Sequence, residues 1–162
     1  MTHVTVRKAQ ISELSSIQDL ALRTISQCYR SFLGSKAVDE CIWSGATKKY
    51  LEEHLDLCRV LLMDKRIVGI AICKDHLLDL LMVDPAHHRN GLGSRLIQAM
   101  EDELFREHEC IELVSFERND SANQFYDLMG RESHGLFIDP ASGHRRIKHT
   151  KSNPRRTCIS AD

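Results

Sequence analysis

Apolar and polar positions change their period several times along this chain, and each change marks an element. Residues 3–9, HVTVRKA, alternate, which predicts a first β-strand. Ser12, followed three residues later by Ser15, supplies side-chain oxygens for a helix start, so a helix is predicted from Glu13 through Leu22. Residues 23–55 carry helical spacing in two or three pieces, interrupted around Gly34 and Gly45. CRVLLMD and RIVGIAIC follow as apolar, β-branched runs joined through Asp64 and Lys65, the pattern of a hairpin.

HLLDLLMVDP is nearly continuous in apolar residues and ends at Pro85, which has no N–H to give a ladder, so it reads as a fourth, central strand. From Leu92 the apolar positions 92, 96, 97, 100 and 104 fall on one face at helical spacing, with Glu101, Asp102, Arg106 and Glu107 on the polar face. IELVSF is then a fifth strand and SANQFYDLMG a helix ended by Gly130. GLFID and HRRIKHT are predicted as the last strands, around the turn residues Pro140 to Gly143. The order β, helices, β, β, β, α, β, α, β, β places the chain in the α/β class.

Composition narrows the picture. With 162 residues and 42% hydrophobic content, the chain suits a single domain over residues 1–162, and no repeat, low-complexity run or linker divides it. No window approaches a membrane span, and MTHVTVRKAQ lacks an apolar signal core, so the expected place is the cytoplasm. The cysteines at 28, 41, 58, 73, 110 and 158 form no CxxC and several lie in apolar runs, as buried thiols do in a reducing compartment. His87 and His88 are the one tight histidine pair, and no metal site is read. From Ala141 onward six basic residues face one acidic residue, a net of +5, which leaves −6 for residues 1–140. Residues 150–162 are expected to be a flexible basic tail; no aromatic residue interleaves its charges, so nucleic acid is a disfavoured partner.

The most informative segment is VDPAHHRNGLGSRL, between the central strand and the long amphipathic helix. Gly91 and Gly93 remove Cβ atoms where the backbone turns into the helix, so N–H groups from about His88 to Ser94 can converge on one anion. The helix N-terminus adds partial positive charge and free N–H groups, which suits a phosphate or pyrophosphate. Arg89 and Arg95 could add charge or stand exposed. A Rossmann fingerprint is excluded, because Leu96 stands where the third glycine belongs and seven residues separate Val83 from Gly91. A nucleoside-triphosphate loop is excluded too, for want of Gly-Lys-Ser/Thr.

The segment resembles the GNAT superfamily of N-acetyltransferases, whose coenzyme A loop reads V-x-P-x-x-(R/Q)-x-x-G-x-G/A. Val83, Pro85, His88, Gly91 and Gly93 take those positions, with His88 in place of the usual Arg or Gln. FERNDSANQFYDLMG is similar to the family's N-x-x-A-x-x-x-Y-x-x-x-G pattern through Asn119, Ala122, Tyr126 and Gly130, with Arg131 where Phe usually follows. The likeness extends over roughly residues 60–131.

The resemblance implies a three-layer fold, a mixed, mostly antiparallel sheet of six to seven strands splayed between the fourth and fifth, and helices on both faces. It implies acetyl-coenzyme A as cosubstrate, held by Leu81, Met82, Val83, His88, Arg89, Asn90, Gly91, Leu92, Gly93, Ser94, Asn119 and Tyr126. Tyr126 matches the family's general acid, with a core-packing role as its alternative; the N–H of Val83 matches the oxyanion donor. Asp79 is the one charge in LLDLLMV, and alternation puts it on the face of Leu81 and Val83. In apolar surroundings its proton affinity would rise, as suits a base; a structural, hydrogen-bonded aspartate is the equal alternative. His76 and Glu117 are reserves, and Tyr29, Phe32 and Trp43 lie where an acceptor wall is expected, or in the core.

The expected reaction is direct attack of an amine on acetyl-coenzyme A, since no cysteine is marked as a nucleophile. A small-molecule amine is preferred to a protein terminus or lysine, because an acidic-leaning domain attracts polycations. A silent acyl-coenzyme A-binding regulatory module is the rival, and a homodimer through the C-terminal strands is an expectation by resemblance.

Overall fold

The computed structural model describes residues 2–154. Strands β1 (Val4–Lys8), β2 (Cys58–Met63), β3 (Arg66–Lys74), β4 (Leu77–Val83), β5 (Cys110–Phe116), β6 (Glu132–Ile138) and β7 (Arg145–Ser152) form one sheet in the order β1-β2-β3-β4-β5-β7-β6. All neighbours are antiparallel except β4 and β5, which run parallel, and β4 is the middle strand as expected. The hairpin forms where Asp64 and Lys65 both take positive φ, the geometry of a two-residue turn with the right twist.

Helices α1 (Leu14–Cys28), α2 (Arg30–Leu33), α3 (Ser35–Ser44) and α4 (Ala46–Glu53) cover one face, and α5 (Leu92–Leu104) and α6 (Asp120–Leu128) the other. Helix α1 runs six residues past the expected end at Leu22, because Thr24 and Ile25 continue its buried stripe. Its start is also different: Gln10 caps a 3₁₀ turn, Ile11–Glu13, and the Glu13 carboxylate accepts from the Gln10 N–H at 2.9 Å, so the Ser12 and Ser15 hydroxyls are not the cap. Gly34 and Gly45 do separate the later helices, both with positive φ.

Two apolar layers sandwich the sheet. Ile17, Leu20 and Ile25 of α1 pack on Val60, Ile70, Ile72 and Met82, while Leu96, Ile97 and Met100 of α5 pack on Leu61, Ala71, Leu78 and Leu113. Each of these Val, Leu, Ile and Met side chains contributes about 1.5–3 kcal/mol by leaving water, and Ala71 less. Glu101, expected on the polar face of α5, is instead 7% exposed. It is held inside by Arg131 at 3.2 Å and Lys151 at 3.0 Å, two partners far away in sequence.

The basic C-terminal residues are also placed differently from a free tail. Arg145, Arg146, Lys148 and Lys151 sit in β7 and pair with Glu117, Asp139, Glu112 and Glu101. Residues 150–152 of the expected tail thus belong to the sheet, and residues 155–162 lie outside the described residues.

Candidate active site

Pairing between β4 and β5 ends at Leu78 and Leu113, and the strands part beyond it. On its other edge β4 stays paired with β3 through Val83, where the Asp84 N–H donates to the Val68 carbonyl at 2.8 Å. Backbone groups in an antiparallel ladder alternate in direction, so Leu81 and Val83 turn their N–H and C=O away from β3 and into the gap. The result is a cavity of about 920 Å³, lined by β4, β5, the loop after β4, and the starts of α5 and α6.

The loop is shaped by two devices. Asp84, 7% exposed, caps a 3₁₀ turn (Pro85–His87) by accepting from the Ala86 N–H at 3.1 Å, and takes Arg23 of α1 at 2.6 Å. Burial alone would raise the Asp84 carboxyl, but Arg23 and that N–H outweigh it and hold it below the ordinary aspartate value. Gly91 then takes φ +73° at the mouth of α5, where an added Cβ would meet nothing within 4 Å; the demand for glycine there is conformational, not steric. The first intrahelical bond runs from Arg95 N–H to Gly91, leaving the N–H groups of Leu92, Gly93 and Ser94 outside the helical ladder. Among the described residues no side chain caps them, and all three line the cavity.

Of the expected coenzyme set, Leu81, Met82, Val83, His88, Arg89, Gly91, Leu92, Gly93, Ser94, Asn119 and Tyr126 line this one cavity. Asn90 stands in the same turn but outside the lining. Arg95 turns to β1, with Nη2 3.5 Å from the Val4 carbonyl, and Arg89 is the loop arginine that reaches the cavity. His88 Nε2 donates to the Val83 carbonyl at 2.7 Å, so the residue that departs from the family pattern braces the end of β4. Asn119 caps α6, accepting from the Ala122 N–H at 3.3 Å.

Asp79 lines the cavity, but not as alternation predicts. Ile72 pairs with Leu80 and Cys73 with Leu78, so Asp79 is an unpaired bulge residue. The bulge reverses the faces: Leu78 joins Leu81 and Val83 on the α5 side, and Asp79 turns to α4, where it accepts from the Tyr50 hydroxyl and lies 3.3 Å from Lys74 Nζ. Its side chain is 30% exposed beside an ammonium, so the apolar surroundings expected for it are absent. Burial first, then the hydrogen bond to Asp79, pushes the Tyr50 hydroxyl well above its usual value.

Tyr126, 8% exposed, lines the slot from α6, and burial pushes its hydroxyl up to about 12 against a smaller opposing pull from Arg131. On the opposite side Tyr29, Phe32 and Phe116 pack ring against ring, with centroids 5.1 to 5.8 Å apart, and the Arg146 guanidinium lies 4.0 Å over Phe116. Trp43 is 88% exposed on α3 and belongs neither to this wall nor to the core. The reserves His76 and Glu117 lie outside the lining, in ion pairs with Asp75 and Glu112, and with Arg145.

The sequence reading missed the buried polar set beneath the slot: Ser115, which lines the cavity, with Asn123 and His149. Burial, aided by Arg131 and opposed by Asp127, pushes the His149 imidazole below its usual value. A polar residue on the inward face of Ile111, Leu113 and Ser115 is the signal that could have found it.

Solved structures share this architecture. An acetyltransferase of the GNAT family from Bacillus cereus ATCC 10987 is 20% identical, with a TM-score of 0.71 over 93% of this chain and 98% of the other. PaiA N-acetyltransferase from Thermoplasma acidophilum, solved in complex with coenzyme A, is 15% identical with a TM-score of 0.74, covering 90% of this chain and 98% of that one. YncA from Salmonella typhimurium, solved with its cofactor acetyl-CoA, is 14% identical with a TM-score of 0.67, covering 98% and 99%. No curated protein sequence matches the chain. The model of the Acetyltransferase (GNAT) family matches residues 21–130, from within α1 to the glycine after α6, and the chain therefore belongs to the GNAT family of acetyltransferases.

Proposed function

We propose that this acetyltransferase moves an acetyl group from acetyl-coenzyme A to a primary amine by direct attack, with a small-molecule amine as acceptor. One observation carries the reading: the backbone groups of Leu81 and Val83 face the gap between β4 and β5 beside the N–H groups of Leu92, Gly93 and Ser94. An amide-bearing arm fits the first feature, and a pyrophosphate the second. The coenzyme bound by PaiA and YncA supports the same assignment.

Acetyl-coenzyme A, when bound, supplies an acyl thioester. The backbone of Leu81 holds its arm, while Val83, whose carbonyl is taken by His88, keeps its N–H ready for the developing oxyanion. Asp79 takes a proton from the acceptor ammonium, directly or through one water, so that the nitrogen attacks with a free lone pair. As the N–C bond forms and the C–S bond breaks, the Tyr126 hydroxyl gives its proton to the departing sulfur, and the second amine proton restores it through solvent. With its hydroxyl pushed up to about 12, Tyr126 holds that proton at neutral pH.

The same reading places the chain in a reducing cytoplasm, in keeping with the free thiols of Cys28, Cys41, Cys58, Cys73 and Cys110. It makes the chain a homodimer, for which edge strand β6 offers exposed Leu136, Phe137 and Ile138. The test is thiol release from acetyl-coenzyme A over a panel of polyamines, aminoglycosides and peptides with free termini or lysines. Amine-dependent release, fastest with a small amine, is expected. Binding of acetyl-coenzyme A without release on any amine would favour the silent module and reject the reading.

A further inference from the structure

Ser115 on β5, Asn123 on α6 and His149 on β7 form a network to which the mechanism above gives no work. Asn123 Nδ2 donates both of its hydrogens, to the Phe116 carbonyl at 3.2 Å and the Glu117 carbonyl at 3.0 Å. That fixes the amide orientation, so it is the Asn123 Oδ1 that lies 2.5 Å from Ser115 Oγ. An amide oxygen only accepts, and it takes the single hydroxyl proton of Ser115. The Ser115 oxygen, 2.8 Å from His149 Nε2, is left to accept from that ring.

His149 is therefore the tautomer with its proton on Nε2, and its buried Nδ1 is a lone pair without a hydrogen-bond partner among the described residues. A histidine that donates to a serine does not deprotonate it, so this pair is no nucleophilic dyad. What the three elements build is a hydroxyl oxygen with its own proton turned away and one lone pair left over. Ser115 lines the slot on the same face as Leu113 and Tyr126. From the last β4–β5 pair, Leu78 with Leu113, it stands two residues further along β5, across the gap from the part of β4 that carries Leu81.

We infer that Ser115 Oγ is a fixed acceptor for an amide N–H of the coenzyme's pantetheine arm, and that Asn123 and His149 are positioning residues that keep it an acceptor. The inference rests on the acetyl-coenzyme A reading and goes beyond it. Backbone on β4 grips the arm from one side, and a serine whose polarity is set from behind grips it from the other.

Calorimetric titrations with acetyl-coenzyme A and with adenosine 3′,5′-bisphosphate, which lacks the arm, test this directly. Ser115→Ala should weaken acetyl-coenzyme A about five- to tenfold, the loss of one hydrogen bond, and leave the bisphosphate unchanged. Equal affinity for acetyl-coenzyme A in both proteins would overturn the inference, and so would a parallel loss for both ligands, which marks a distorted fold. A parent protein that binds neither ligand would reject the acetyl-coenzyme A reading itself. Independently of any variant, nitrogen-resolved NMR of His149 should show the proton on Nε2; a proton on Nδ1 in its place would also overturn it.

Discussion

Replacing Gly91 by alanine isolates the backbone requirement at the loop before α5, the proposed coenzyme loop. Gly91 holds φ +73°, and a Cβ there has nothing within 4 Å, so the methyl group meets no clash. The whole cost is that of holding an L-residue in the left-handed region, about 1–2 kcal/mol. It emerges in one of two places. If the free loop keeps its shape, the apparent stability falls by that amount, or roughly 2–8 °C in Tm for a domain of this size. If the free loop relaxes, coenzyme A must restore it on binding, and affinity falls about five- to thirtyfold. Gly93→Ala is the control: its Cβ would stand 3.5 Å from the Phe125 ring, an ordinary contact at a helical position, so stability should hold or rise. Urea unfolding and titration with coenzyme A, done on both variants, measure the two terms. A Gly91→Ala protein as stable as the parent and equal in affinity would refute the reasoning.

Three further outcomes follow from the site and its supports. Tyr126, pushed up from 10 to about 12, adds stability that is fully present below pH 10 and is lost as pH rises to 12. Tyr126→Phe should remove that part of the alkaline fall in urea stability, about 2–3 kcal/mol, and should lower the maximal rate; an unchanged rate would end its role as acid. Asp79→Asn should cut turnover at neutral pH by about a hundredfold or more while leaving coenzyme affinity alone, as steady-state rates and titration would show. Glu101→Leu strands the fully buried Arg131 side chain and should cost about 3–5 kcal/mol in urea unfolding, whereas adding Arg131→Phe should recover most of the loss.

The fold was legible wherever one local rule decides. Asp64 and Lys65 turn the hairpin, Gly34 and Gly45 part the helices, and the stripe from Leu92 to Leu104 sets the α5 face, each within a few residues of sequence. The shape of the loop before α5, the proposed phosphate cradle, was legible for the same reason, since its residues are contiguous. Asp79 was misplaced because a single bulge residue reverses a strand's faces without altering its apolar pattern. Glu101 looked solvated because its partners Arg131 and Lys151 arrive from other elements. Ser115 was hidden likewise: its polarity is visible in β5, but Asn123 and His149, which give it meaning, lie on α6 and β7.

The central claim is that a coenzyme arm lies along β4 in the gap beside β5, with its pyrophosphate on the first N–H groups of α5. Amide-resolved NMR during titration with coenzyme A tests it most directly. The account predicts that the N–H signals of Leu81, Val83, Leu92, Gly93 and Ser94 move together and saturate at one equivalent. Saturable shifts confined to other residues, or no shifts at all, would contradict it.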